Sequence, residues 1–299
     1  MILESVRKNK ISSFFIVSLF IIIIMVGVYC VCLYMDLGAI SLPIALAAAI
    51  IPAIISYYNC DKMVLGLNGA RPATREQDLQ LSVILENLCI ASGLPKPKLY
   101  VIDDMSPNAF ATGRNPENAV ICVTTGLLAK LNKYELEGVI AHELSHIKNY
   151  DILLSTIVSV FVGFVVILSD WFSRMAFYGG GKRRSNKDND SSNAIVAIIA
   201  LLFIILSPIF ATLMKLAISR KREFLADASA VEMTRNPEGL IDALIKISDD
   251  PDVLETANKS TAHMYISNPL KNAKDKKESD LWSTHPATSK RIEALRNIK

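Results

Sequence analysis

Four blocks of this chain, residues 11–33, 37–58, 152–172 and 194–216, are apolar around the whole circumference of a helix. Such a helix has no face to offer water, so it is either enclosed by protein or crosses a membrane. Each block reaches the roughly 20 residues that a spanning helix requires. Pro43, Pro52 and Pro208 are compatible with that reading, because neighbouring helices and waters re-satisfy the freed backbone groups. Arg7, Lys8 and Lys10 precede the first block as they would in a signal peptide. The block is too long for a signal and leads almost directly into the second, so the expectation is an uncleaved hairpin anchor.

Charge orients the hairpin. The turn near Asp36 carries no Lys or Arg, whereas Arg7, Lys8, Lys10, Lys62, Arg71 and Arg75 flank the two blocks. The excess of positive charge on cytoplasmic segments places both ends of the hairpin, and residues 61–151 after it, in the cytoplasm. The loop 173–193 holds Arg174, Lys182, Arg183, Arg184 and Lys187, against that rule if the second pair of blocks also crosses. Lys148, Arg220, Lys221 and Arg222 lie on its cytoplasmic side and add to the opposing count. The expected architecture is a mainly α integral membrane protein with four transmembrane helices and a cytoplasmic α+β domain. Residues 1–60 and 152–216 form the two hairpins, and 61–151 and 217–299 form the two parts of the domain.

The chemistry sits in AHELSHIKNYD, residues 141–151. On a helix His142 and His146 are four apart, so both imidazoles project from one face and can share a metal ion, with Glu143 beside them. This is the HExxH arrangement of zinc peptidases. Neutral imidazoles hold the metal, and the carboxylate takes a proton from the water that attacks a carbonyl. Two of the chain's four histidines form this pair. Asn132 and Glu135 make a capping box for the helix, and Leu136, Ile140, Leu144 and Ile147 give it an apolar back.

Catalytic zinc takes a third protein ligand. The extended motif with Gly at 149 and His at 152 is excluded, since those positions are Asn149 and Ile152. The third block begins about 9 Å of helix after His146, and the fourth returns the chain to the same membrane face. Both metal-bearing helices are therefore expected to continue into spans. What emerges after residue 216 is SRKREFLADASA, with Glu223 and Asp227 four apart. Alone they would read as surface charges paired with Arg220 or Lys221. Beside an HExxH, Glu223 is favoured as third ligand of one zinc per chain, and Asp227 as acceptor for the far nitrogen of a ligating imidazole.

Ahead of the zinc helix, Thr74 and Gln77 cap a helix to about residue 92, with an apolar face including Leu79, Val83, Ile84, Leu88 and Ile90. Residues 98–102 and 119–123 are β-prone, and 108–112 (NAFAT) reads equally as a strand or a loop. As a sheet edge, the backbone of Asn108, Ala109 and Phe110 would hold an extended peptide substrate. Charged helices follow from 219, from Asn236-Pro237 and from Asp250-Pro251, with a terminal helix over 286–298. His285, in STHP, is a candidate donor to a developing oxyanion, although a surface histidine before a helix is the commoner case; His263 has no motif of its own. Five scattered cysteines lack disulfide or CxxC spacing. Near-balanced charge without a basic aromatic patch excludes nucleic acid as a partner. The spans lack the ionisable residues of a transporter, apart from Asp170 and Lys215 near their ends.

Taken together, NAFATG at 108–113, HELSH at 142–146, EFLAD at 223–227, HMYISNPL at 263–270 and STHP at 283–286 make the chain resemble the HtpX family of membrane-embedded zinc metalloproteases, related to the CAAX prenyl proteases. The resemblance covers nearly the whole chain. It implies a gluzincin-like zinc protease domain with zinc at His142, His146 and Glu223, Glu143 as catalytic acid and base, and a stronger case for His285. It also implies a cytoplasm-facing protease acting on damaged or misassembled membrane proteins and unfolded polypeptides. The seven-span layout of CAAX processing enzymes is not visible, which makes that substrate class the weaker analogy. A catalytically silent zinc scaffold would not need Glu143.

Overall fold

The computed structural model describes residues 2–34, 36–163, 219–257, 260–269 and 286–298. Helix α1 (Ile2–Tyr34) and helix α2 (Ser41–Leu67) form a long hairpin turned at residues 36–40. Both extend beyond the apolar blocks, because the flanking polar residues continue the helices into the domain. Ala45, Ala49 and Ala53 recur every four residues on α2 and are buried, so the helices approach closely along a small-residue stripe. Phe14, Phe15, Ile22, Ile51, Ile54 and Ile55 point outward and are exposed. An apolar surface of that extent marks a contact with lipid or with another protein. Among the described residues, two helices are long and apolar enough to cross a membrane.

After the hairpin, β1 (Arg71–Pro72) leads to α3 (Arg75–Ser92), which begins at the Thr74/Gln77 capping box and ends on Gly93 in the left-handed conformation. Strands β2 (Lys98–Ile102), β3 (Ala109–Gly113) and β4 (Ala119–Thr124) complete a mixed sheet in the order β1-β2-β4-β3. β2 runs parallel to β4, and β3 is antiparallel to it at the edge. Of the α3 face expected to be apolar, Ile84 and Leu88 are buried, together with Leu81, Leu85 and Cys89, while Leu79, Val83 and Ile90 are exposed. The helix carries two apolar stripes, and periodicity alone does not say which one meets the sheet.

The short helix α4 (Thr125–Lys130) precedes the zinc-motif helix α5 (Lys133–Lys148), whose Asn132/Glu135 capping box is formed at both bonds. Helix α6 begins at Asp151 and is described to Gly163. Its described turns are enclosed by protein: Thr156 bonds the Thr112 hydroxyl of β3, and Phe161 stacks on Phe20 of α1 at 4.0 Å. α5 does not run on into α6. The chain breaks at Asn149 and at Tyr150, which adopts φ 58°. Helix α7 (Arg220–Thr234) has an extended residue, Ser219, at its N-cap. It is followed by α8 (Pro237–Asp249) and α9 (Thr288–Arg296). The helix expected from Asp250-Pro251 is absent among the described residues: Asp250 and Asp252 instead turn back to pair with Lys130. The glycine-rich loop 173–193, the apolar block 194–216, the second half of the block 152–172 and His285 lie outside the described residues.

Candidate metal centre

α5 is the central helix of the domain, buried between the sheet side, α7 and α8. Its close seating on α8 rests on Gly138, where a Cβ would come within 2.8 Å of the Leu240 nitrogen. One turn later His142 emerges with 1 % of its surface exposed, and Glu143 with 1 %. α7 crosses α5 so that Glu223 faces both histidines.

The three side chains form a metal-sized cluster. His142 Nε2 lies 3.2 Å from His146 Nε2 and 3.8 Å from Glu223 Oε2, and His146 Nε2 lies 3.5 Å from Glu223 Oε1. Ligand atoms about 2.0–2.1 Å from a tetrahedral zinc are separated by about 3.3–3.4 Å, so these residues fit the ion with shifts of a few tenths of an ångström. Among the described residues this is the one group of such side chains that converges in this way.

The imidazoles are aimed from behind. His142 Nδ1 donates to Asp227 Oδ1 at 2.9 Å, and His146 Nδ1 donates to Asp151 Oδ2 at 2.9 Å. With each Nδ1 proton committed to a carboxylate, each Nε2 lone pair is directed into the cluster. Asp151 reaches back to His146 because Tyr150 takes the left-handed conformation, a turn that costs a non-glycine residue about 1–2 kcal/mol. Asp227 is gripped by Arg291 of α9 through two bonds, Nε to Oδ2 at 2.8 Å and Nη2 to Oδ1 at 2.6 Å, both partners being 2 % exposed. Arg291 Nη1 also donates to the Ile266 carbonyl at 3.0 Å. Neither Asp151 nor Arg291 stands out in the sequence as part of the site. A carboxylate five residues after His146 is off the helix face unless the turn is known, and a single arginine in a charged terminal helix carries no signal.

The electrostatics follow from burial and crowding. Burial, with the nearby Glu223 carboxylate adding to it, raises Glu143 to about 7. His142 is held below its ordinary value by burial, reinforced by the charge of Arg291, against the pull of Asp227. For His146 burial acts in the same sense but is outweighed by the bond to Asp151 and the fields of Glu223 and Glu143, and the group rises to about 9. An excess of negative charge therefore surrounds the cluster, which a dication neutralises.

β3 passes beside Glu143. The Thr124 amide donates to the Asn108 carbonyl, so by antiparallel alternation residues 108, 110 and 112 bond to β4 while 109, 111 and 113 point to the open edge. The Ala109 carbonyl accepts from the Ile266 amide at 2.9 Å, and the Asn108 side chain donates to the Ser267 carbonyl. Gly113 donates to the Thr156 hydroxyl. The Ala111 amide points to the Glu143 carboxylate. Of the residues read from sequence as substrate backbone, Asn108 and Phe110 thus spend their main-chain groups on β4, and Ala109 is capped by the chain's own residue 266. The outward-facing residue at the site is Ala111. Phe110 is buried edge-on against Tyr265. His263 is buried in the turn Ala262–Met264 and is not part of the metal-sized cluster.

A helix-borne HExxH pair completed by a glutamate from a later helix, with a sheet edge alongside, defines a zinc metallopeptidase. The model of peptidase family M48 matches residues 75–299, and the chain belongs to that family, in its HtpX branch. It is similar over 98 % of its length to a protease HtpX homolog of Dictyoglomus turgidum (45 % identical, 93 % of that protein covered). It is similar over its full length to homologs of Listeria monocytogenes serotype 4a (44 %) and Streptococcus gordonii (41 %), each covered completely. Among solved structures, Ste24p of S. mikatae shares the fold with a TM-score of 0.52 at 21 % identity, over 90 % of this chain and 62 % of that one.

Proposed function

We propose that this zinc metallopeptidase cleaves unfolded segments of membrane proteins at the cytoplasmic face of the membrane, as a quality-control endopeptidase. The observation that carries the reading is the edge of β3, whose outward-facing Ala111 lies against Glu143 between Ala109 and Gly113, which are bonded within the chain. An edge strand binds a substrate through its main chain and so accepts many sequences, provided they are extended. Folded proteins do not present such a strand, whereas loops and ends of misassembled ones do. The substrate strand meets the enzyme at Ala111, and pairing further back at Ala109 requires residues 266–267 to move off the edge.

When bound, zinc supplies Lewis acidity, lowering the pKa of a water and polarising the scissile carbonyl. Glu143 takes the proton from the attacking water and returns it to the departing amine nitrogen. Asp227 and Asp151 keep the imidazoles in the tautomer that faces the metal. His285 is a further proposed donor to the developing oxyanion.

The test is cleavage of unfolded casein, and of a membrane protein with a destabilised cytoplasmic loop, by the full chain in detergent with and without chelator. Chelator-sensitive cutting of both, with folded soluble proteins spared, is expected. Equal cutting of folded proteins, or no cutting of the membrane protein, would sink the substrate assignment.

A further inference from the structure

The catalytic domain is not self-sufficient in fixing His146. Asp151, which holds that ring, is 4 % exposed and receives its shortest bond from the N-terminal part of the membrane helix α1: Asn9 Nδ2 donates to Asp151 Oδ1 at 2.6 Å. The same amide donates to the Asn149 carbonyl at 3.0 Å, and Arg222 Nη1 reaches Asn9 Oδ1 at 3.4 Å. Arg222 Nε lies 3.4 Å from Asp151 Oδ1. One residue along, the Lys10 ammonium sits 4.0 Å over the ring of Tyr150, the residue in the left-handed conformation. Every residue of the 149–151 turn is therefore touched by α1. Asn9 is itself 3 % exposed although it lies in a run of polar and charged residues that would otherwise be solvated.

We infer that Asn9 is a positioning residue for the metal centre: through Asp151 it orients His146, so that the foot of the membrane anchor forms part of the zinc site. A buried carboxylate that must accept from an imidazole needs its second oxygen satisfied, or it turns toward another donor and takes the ring with it. The nearby alternative is Arg222 on α7, which already approaches the same oxygen. Asn9 supplies both donors of its amide to the two ends of the turn, the carbonyl of Asn149 and the carboxylate of Asp151. It thereby fixes the direction in which Asp151 points. The metal site of this protease is on this account sensitive to whether α1 is seated against the domain.

The inference rests on zinc occupying the His142, His146 and Glu223 cluster, and its test separates the two. The full chain in detergent is loaded with zinc for chelator competition and with cobalt for its visible absorption bands, and the thermal midpoint of the metal-free protein is recorded in parallel. Asn9→Leu, equal in size but without donors, is expected to bind zinc about three- to tenfold more weakly and to alter the cobalt bands. Asp151→Ala should lose more, in the range of about 10- to 100-fold. Lys8→Ala, an exposed neighbour, should change neither. The exchanged pair Asn9→Asp with Asp151→Asn restores the bond between positions 9 and 151 with donor and acceptor reversed, though not the bond to the Asn149 carbonyl, and is expected to recover part of the zinc affinity that each single change loses. Unchanged affinity and bands in Asn9→Leu, even with a lowered midpoint, would make Asn9 a fold-holding residue only and overturn the inference. So would losses in the two single exchanges that simply add in the double. Failure of the unmodified protein to bind zinc would instead overturn the metal reading itself.

Discussion

Glu143 and Glu223 are both carboxylates beside the two histidines, and what separates them is what each one faces. Glu223 has an oxygen within 3.5–3.8 Å of each imidazole, whereas Glu143 lies against the Ala111 amide of the edge strand. Glu143→Gln is therefore expected to retain one zinc per chain while peptide cleavage falls by at least about 100-fold, since proton transfer contributes about 10²–10⁴; metal analysis beside a casein assay checks it. Glu223→Ala should lose the metal as well as the activity, and unaltered zinc affinity there would mean that another residue completes the site. The same crowding predicts a pH effect on the metal-free protein. His146 rises from 6.5 to about 9 and Glu143 from 4.5 to about 7 on folding. A raised pKa contributes stability that is complete below the unfolded value and is lost as the pH climbs through the folded one. Glu143 has lost its contribution by about pH 7, and His146 loses its own between about 6.5 and 9, so the thermal midpoint of the apo protein should fall over that second interval, carried by His146. Saturating zinc, which binds the folded site, should restore it most at the alkaline end. A midpoint that rises over this interval without metal would contradict the assignment.

At the scale of elements, the site depends on how closely helices meet. A Cβ at Gly138 would strike the α8 backbone at Leu240, and one at Gly239 would come within 2.6 Å of the Tyr134 carbonyl, so α5 and the start of α8 touch through two glycines. Gly138→Ala is expected to destabilise the protein by about 1–3 kcal/mol, the usual cost of overpacking. Because His142 is one turn further along α5, zinc affinity should fall with it; denaturation of the apo protein and chelator competition measure the two effects. These contacts show what the sequence made legible. The α1–α2 hairpin, the capping boxes at Thr74 and Asn132 and the two histidines on one helix face all follow from local pattern, and each is a property of adjacent residues. Glu223 was legible because an incomplete HExxH demands a partner. The turn at Tyr150 was not, since nothing in KNYD announces a left-handed residue, and without it Asp151 cannot be placed on His146. Nor was the insertion of β4 between β2 and β3, which is decided by pairing between distant segments. The second apolar stripe of α3 misled for the same reason: burial is a tertiary fact, and Leu79 and Ile90 satisfy the periodicity as well as Leu81 and Leu85 do.

At the scale of the whole molecule, both ends of the hairpin dock on the domain. The start of α1 is bound at the 149–151 turn through Asn9, and the end of α2 is bound through Asn68, whose side-chain oxygen accepts from Thr261 at 2.7 Å and from Tyr265 at 3.0 Å. α1 has 33 residues, which at about 1.5 Å each span about 50 Å. That exceeds the about 30 Å hydrocarbon layer, so if the hairpin inserts fully its tip at 36–40 lies across the bilayer from the metal site. Single cysteines in a cysteine-free background test this with an impermeant maleimide. Leu37→Cys, exposed at the tip, should be labelled from outside intact cells, and Lys133→Cys, exposed at the start of the zinc helix, only after permeabilisation. Ser191→Cys should label with Leu37→Cys if residues 152–216 make a second full crossing. Labelling of Leu37→Cys and Lys133→Cys from the same side would refute the hairpin as a membrane anchor. Labelling of Ser191→Cys only together with Lys133→Cys would leave that anchor standing and return the basic loop to the cytoplasm, where the distribution of its arginines and lysines alone would put it.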